Sequence, residues 1–301
     1  MYDAKDPRSS LTAAPAAGAK AATEFAGVEY ARFHDMPPQE SAAGVRTWYA
    51  RGQNFVLAYT EAEGDCRFVR AAQHDEFAVL SPDASGRMEI TWDGKQTPLA
   101  GGSLVFVPPG ASEVRLPSGG RLIRLFTLHA TDLMALCSNA ASYRTPHPNV
   151  APLQAWPAPA GGYRVRAYRL DVPSQEGRFG RIWRCSTFMV NYLDARVGPR
   201  EVTRMSPHSH DDFEQCSLAL AGEFIHHIRW PWTTNMNNWR EDEHGLCGTP
   251  SIAVIPPPAI HTTQAIGTGS NQLVDIFCPP RRDFSNKPGW VLNADEYPMP
   301  S

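Results

Sequence analysis

The sequence predicts an all-β chain folded as two jelly-roll-like β-barrels in tandem. Short β-branched and aromatic runs alternate with Gly, Pro, Asp and Ser clusters from about residue 45 to 128, and again from 163 to about 278. That spacing is typical of sandwich or barrel strands. The chain also repeats itself. Residues 72–86 (AQHDEFAVLSPDASG) lie without a gap under 208–222 (HSHDDFEQCSLALAG), and 103–111 (SLVFVPPGA) lie under 251–259 (SIAVIPPPA). Self-similarity of this kind marks two copies of one β unit. A chain of 301 residues is also long enough for two domains with separate cores.

Residues 1–44 read as an N-terminal arm, whose first 25 positions are rich in Ala, Gly, Ser and charge and suit a flexible stretch or part of a short helix. The first barrel spans 45–130. Its strands include 54–59 (NFVLAY), 88–92 (MEITW) before an Asp93-Gly94 turn, and 103–107 (SLVFV) ended by Pro108-Pro109. Residues 131–162 form a helix and linker: Thr131 is a plausible cap for a helix over 131–141, with Leu133, Met134 and Cys137 on one side. Five prolines between 146 and 162 make the following stretch stiff and extended. The second barrel spans 163–278. The tail, 279–301, carries Trp290 and Tyr297 among prolines and is expected to wrap across a surface without adding a strand.

A net charge of −3, with no basic run interleaved with aromatics, gives no reason to expect nucleic acid. Cys66, Cys137, Cys185, Cys216, Cys247 and Cys278 are dispersed with no CxxC, which predicts reduced, half-buried thiols in a cytoplasmic protein. No segment approaches 18 apolar residues, so no membrane helix is expected. The Ala-rich start lacks a cationic flank followed by an apolar stretch, which argues against a secretory signal.

The chemistry concentrates in His208-Ser209-His210, followed by Glu214-Gln215, Gly222 and, 51 residues after His210, His261. Histidines at i and i+2 on a strand share a face, and imidazole suits Fe, Zn, Ni and Mn. The ordered set resembles the cupin family, whose motifs run G-x5-HxH-x3,4-E-x6-G and G-x5-PxG-x2-H-x3-N. Here they read HSHDDFEQCSLALAG from His208 and GTPSIAVIPPPAIHTTQ from Gly248. Pro258 replaces the usual glycine, and the acidic ligand position is ambiguous. With the repeat, the resemblance implies a bicupin of two double-stranded β-helix barrels. In the first copy, Ala72 lies under His208, Ala78 and Val79 under Glu214 and Gln215, and Glu113 under His261. Only His74 has a counterpart, in His210. Transition-metal sites normally need three or four protein ligands, so the first copy reads as a scaffold.

The resemblance implies one divalent transition metal on His208, His210 and His261, with Fe first and Zn, Ni or Mn as alternatives. Counting back from Gly222 makes Gln215 the fourth ligand, while the shorter spacing makes it Glu214. Strand parity favours Gln215, because Ser217 and Ala219 then face inward and Cys216, Leu218 and Leu220 face a partner sheet. Three histidines and an amide leave a metal its full charge and favour a small anionic, chelating substrate. Glu214 is then a candidate catalytic group or a residue that orients the ligands.

Between its motifs the second copy is 12 residues longer than the first. The surplus holds Trp230, Trp232 and Trp239, read either as a lid over a planar substrate or as interface packing. Trp230, His227 and Arg204 are the candidate substrate contacts; for the adjacent His226 and His227, a core position is the alternative. The resemblance implies a non-haem dioxygenase acting on a small chelating acid, aromatic acids included. A redox-neutral lyase, decarboxylase or isomerase and a non-catalytic small-molecule sensor are the alternatives. Dimerisation through sheet edges is compatible with the outward apolar residues.

Overall fold

Along the strand Gln215–Ala221 the alternation of side chains sorts residues into two different cores. Cys216, Leu218 and Leu220 enter a large apolar cluster, while Gln215 and Ser217 turn the other way into a polar interior. The same division holds on Phe77–Ser81: Ala78 and Leu80 join that large cluster, and Phe77 and Val79 fill a separate apolar core. The computed structural model describes residues 7–10 and 25–300. The Ala-rich stretch expected to be flexible or partly helical falls mostly outside the described residues.

Among the described residues the strands form four antiparallel sheets. The first half has a large sheet built around Ser103–Val107, Phe77–Ser81, Gly120–Thr127 and Phe55–Ala62, and a small one of Cys66–Gln73, Gly110–Leu116, Arg87–Trp92 and Lys95–Ala100. The second half repeats this. Ser251–Ile255, Gln215–Ala221, Ser270–Phe277 and Met189–Tyr192 form its large sheet; Glu243–Cys247, Phe224–Arg229 and Ile260–Ala265 form its small one. The two large sheets share one buried core, in which Trp48, Leu57, Tyr59 and Phe106 meet Trp183, Phe188, Val254 and Ile276. Side chains that face outward from each barrel are therefore still buried, which is why these strands are apolar on both faces.

Sheet membership crosses the boundary expected from chain order. Glu29–Ala31, assigned to the arm, pairs with Ser251–Ile255, and Arg166–Arg169, assigned to the second barrel, pairs with Ser103–Val107. Each large sheet thus ends on a strand from the other half, and the exposed edge is covered.

The structure also corrects the sequence alignment of the two halves. Phe77 stands opposite Val107, and Gln215 stands opposite Ile255. Since 107 and 255 correspond, Phe77 is the counterpart of Gln215, a two-residue change from the gapless alignment. His74 therefore does not occupy the place of His210. Glu113 faces outward and pairs with Arg67 at 3.4 Å.

The helix expected over 131–141 is shorter. An α-turn covers Thr131–Met134 and a 3-10 turn Ala140–Tyr143. Between them the chain is pulled onto the strand Val45–Arg51: Ser138 N–H donates to Tyr49 O, and the Asn139 amide brackets Arg51 N and O at 2.9 and 2.8 Å. Ala130, not Thr131, is the N-cap position. In the tail, Trp290, Val291 and Tyr297 are buried. All six cysteines are free thiols. No helix among the described residues is long and apolar enough to cross a membrane.

Candidate metal centre

His261 sits near the start of the strand Ile260–Ala265, and its backbone pairs with His208 through two hydrogen bonds of 2.7 and 3.0 Å. This single bridge fixes His208, but the His208-Ser209-His210 segment is not part of a continuous strand as expected. Pro207 has no N–H to extend the ladder, and a bend follows at Asp211-Asp212. The three rings still converge, with centroids 4.3, 5.0 and 5.1 Å apart. One nitrogen from each lies within 4.8 Å of the others.

Backbone carbonyls orient the rings. His208 Nδ1 lies 2.9 Å from Ser206 O, and His261 Nδ1 lies 2.9 Å from Ala259 O. A carbonyl can only accept, so Nδ1 carries the proton and Nε2 keeps its lone pair, as a metal ligand requires. Gln215 Oε1 lies 2.9 Å from His210 Nε2 and 3.4 Å from His261 Nε2. Its amide nitrogen donates to Ser217 Oγ and Asp275 Oδ1, both at 3.1 Å, and so keeps the oxygen turned toward the histidines. Asp275 is wholly enclosed, and burial raises its pKa.

Burial also lowers the histidine pKa values: those of His208 and His210 fall well below the usual range, and that of His261 falls to about 4. Arg8 and Arg281 add repulsion in the same direction. All three imidazoles are neutral at physiological pH. Arg8 donates to Ser206 Oγ at 2.9 Å, and Arg281 lies against Phe213, whose ring stacks on His210 at 4.4 Å. Three neutral imidazoles and one oriented amide oxygen form a donor set that fits one divalent transition ion.

The other candidates lie elsewhere. Glu214, adjacent to Gln215, points to the opposite face and accepts from Gln53 N–H at 2.7 Å. Burial pushes its carboxyl up to about 7. Gly52 allows this approach, since a Cβ there would lie 2.3 Å from Phe55 and 2.6 Å from Glu214. Glu214 therefore does not touch the histidine cluster and is not placed for catalysis there. Arg204 is exposed and pairs with Glu201 at 3.6 Å. His227 faces outward to His244 and Gln264, at 2.7 and 3.0 Å, while the alternation along Phe224–Arg229 buries His226 instead, against Thr263. Trp230 packs with Phe25 and under Arg240 and donates to Ala26 O, so it anchors the N-terminal segment and does not line the cluster.

Sequence reasoning placed Ser217 inward without giving it a role, and it missed Asp275, Arg8 and Arg281. A signal existed for Asp275, a lone acid inside the apolar run Leu273-Val-Asp-Ile-Phe277. No local pattern pointed to Arg8.

No family model matches the chain, and no curated protein matches it by sequence. Solved structures do. AerE from Microcystis aeruginosa superposes with a TM-score of 0.53 at 11% identity, covering 79% of this chain and 94% of its own. The oxalate decarboxylase of Lactobacillus farciminis, solved with formate, gives 0.54 at 13%, covering 86% and 88%. A mutant of the Bacillus subtilis oxalate decarboxylase gives 0.53 at 12%, covering 85% and 78%. Identities this low speak for the fold alone. What the likeness shows is the fold: two β-barrels in tandem within one chain, as in these structures.

Proposed function

We propose that the chain is a mononuclear metal enzyme acting on a small anionic, chelating acid, with His208, His210, His261 and Gln215 as the metal ligands. The supporting observation is the buried set of neutral donors within electrostatic reach of Arg8 and of Arg281, the latter paired with Asp283. A divalent ion held there keeps its full charge, and with the guanidinium groups it favours a carboxylate over a neutral molecule. The ion would act as a Lewis acid on a bound oxygen. The chain's own residues contribute orientation: Asp275 and Ser217 hold the Gln215 amide, and Ser206 and Ala259 hold the imidazole tautomers.

The reaction class we favour is redox-neutral, a decarboxylase or related lyase, and the likeness to oxalate decarboxylases supports it by analogy. The second reading is a dioxygenase. Phe213 and Phe277 beside His210, at 4.4 and 6.2 Å, form an apolar wall that suits O2 and an aromatic acid. To test both, the metal-free chain is reloaded separately with Mn, Fe, Zn and Ni and given a panel of small dicarboxylic, β-keto and phenolic acids. CO2 release without O2 uptake under anaerobic conditions supports the lyase, and stoichiometric O2 uptake with Fe supports the dioxygenase. Tight binding of an acid without turnover by any metal form would leave a binding protein. Failure of the His208→Ala/His261→Ala variant to lose metal would overturn the ligand assignment.

A further inference from the structure

The first barrel lacks the donor set of the second. Its interior is filled by Phe77, Val79, Val107, Val114 and Phe126, and Phe77 stands where Gln215 stands. A different group of ligating side chains gathers outside this core, from two neighbouring elements. His74 and Asp75 precede the strand Phe77–Ser81, and His129 follows the strand Gly120–Thr127.

The imidazoles of His74 and His129 lie with centroids 4.2 Å apart, tilted by 36°. A ligating atom from each ring and one from the Asp75 carboxylate all lie within 4.8 Å of one another. His74 Nδ1 is 3.9 Å from Asp75 Oδ2, too far for a hydrogen bond. The carboxylate is held in place: Thr127 Oγ1 donates to Oδ2 at 2.5 Å, and Gln73 Nε2 donates to Oδ1 at 3.1 Å. Gln73 is itself held by Arg70 Nε at 3.0 Å. Asp75 is thus oriented by its neighbours, whereas His74 is 67% exposed at its side chain and free to adjust. Metal–ligand bonds of roughly 2.0–2.2 Å bring such atoms together with small side-chain rotations.

We propose that His74, Asp75 and His129 form a second, solvent-facing site for a divalent transition ion. Two imidazoles and one carboxylate select Zn, Ni, Co or Cu over Mg or Ca, because the hard cations prefer all-oxygen sets. Three protein ligands leave the remaining positions to water or to an external ligand. The site shares no ligand with the histidine centre of the second barrel and does not depend on the function proposed for it.

The test is calorimetric titration of the metal-free full-length chain with Zn2+, compared with the His74→Ala/His129→Ala and His208→Ala/His261→Ala variants. His74 and His129 lie outside the apolar core, so the first variant is expected to keep the wild-type circular dichroism and unfolding midpoint. The proposal expects that variant to bind one equivalent fewer than the wild type. It expects the second variant to retain one equivalent. A Cu2+ spin-resonance spectrum of the second variant should show coupling to two nitrogens. Equal stoichiometry and affinity in the wild type and the His74→Ala/His129→Ala chain would overturn the second site. Loss confined to the His208→Ala/His261→Ala variant would overturn it in the same way.

Discussion

Glu214 and Gln215 are neighbours in the chain with opposite surroundings. Gln215 turns to three imidazoles, whereas Glu214 crosses to the first barrel and accepts from Gln53 N–H. Glu214→Ala is therefore expected to destabilise the fold by about 1–3 kcal/mol, the usual consequence of leaving a buried donor unpaired. Metal content should be unchanged. Urea unfolding together with elemental analysis checks both; loss of metal at unchanged stability would return Glu214 to the site. Asp275 behaves differently. With Asp275→Asn, the fixed acceptor for the Gln215 amide becomes another amide, and metal affinity should fall about 10–100-fold. Competition with a chromophoric chelator measures this, and circular dichroism should remain unchanged.

At the scale of elements, the segment between Phe224–Arg229 and Glu243–Cys247 has two kinds of tryptophan. Trp232 and Trp239 stack face to face at 4.4 Å and are 75% and 38% exposed. Trp230 is buried beside Phe25 and Ile228. Trp232→Ala removes an exposed aromatic pair worth about 0.5–1.5 kcal/mol and should leave metal binding alone. Trp230→Ala empties a packed position and should cost about 3–5 kcal/mol. It should also loosen the strand Glu29–Ala31, which amide hydrogen exchange would register as faster exchange there than in the wild type. Equal effects of the two substitutions would contradict this division of roles.

The molecule as a whole has an approximate twofold relation that joins its halves. Glu76 stands one residue before Phe77 as Glu214 stands before Gln215, and each glutamate reaches into the other half. Glu76 accepts from Ser186 N–H and Oγ at 2.9 Å and from Tyr297 Oη at 2.7 Å; Glu214 accepts from Gln53 N–H, with Tyr143 beside it. Burial raises the Glu76 pKa. An acid raised on folding contributes stability that is complete below its unfolded value of about 4.3 and is lost as pH rises through the folded value. Glu76→Gln removes that titration. The variant's stability relative to wild type should therefore rise with pH from about 4.3 upward, as read from urea midpoints at a series of pH values. A constant difference would mean that Glu76 does not titrate differently on folding.

Alternation and self-similarity were enough to predict two barrels, because side-chain direction in a strand depends only on position along it. The inward parity of Gln215 was legible for the same reason, since it needs no knowledge of distant partners, whereas the histidines were found through the order of their motif and converge through the bridge between His208 and His261. The register between the halves was not legible. A gapless alignment paired His74 with His210, and only hydrogen bonding to Ser103–Val107 and Ser251–Ile255 shows Phe77 in the place of Gln215. Asp275 lies 60 residues from the amide it orients, and Arg8 lies 198 from the serine it meets. The exchange of Glu29–Ala31 and Arg166–Arg169 between sheets is likewise invisible along the chain. The sequence by itself determined the barrel pattern and the side of the strand that Gln215 faces, which follow from local periodicity, and it singled out the three histidines through the order of a motif. Tertiary structure alone decided which half each edge strand joins, where Glu214 goes and what holds Gln215, because those depend on cross-strand register and on packing between two sheets.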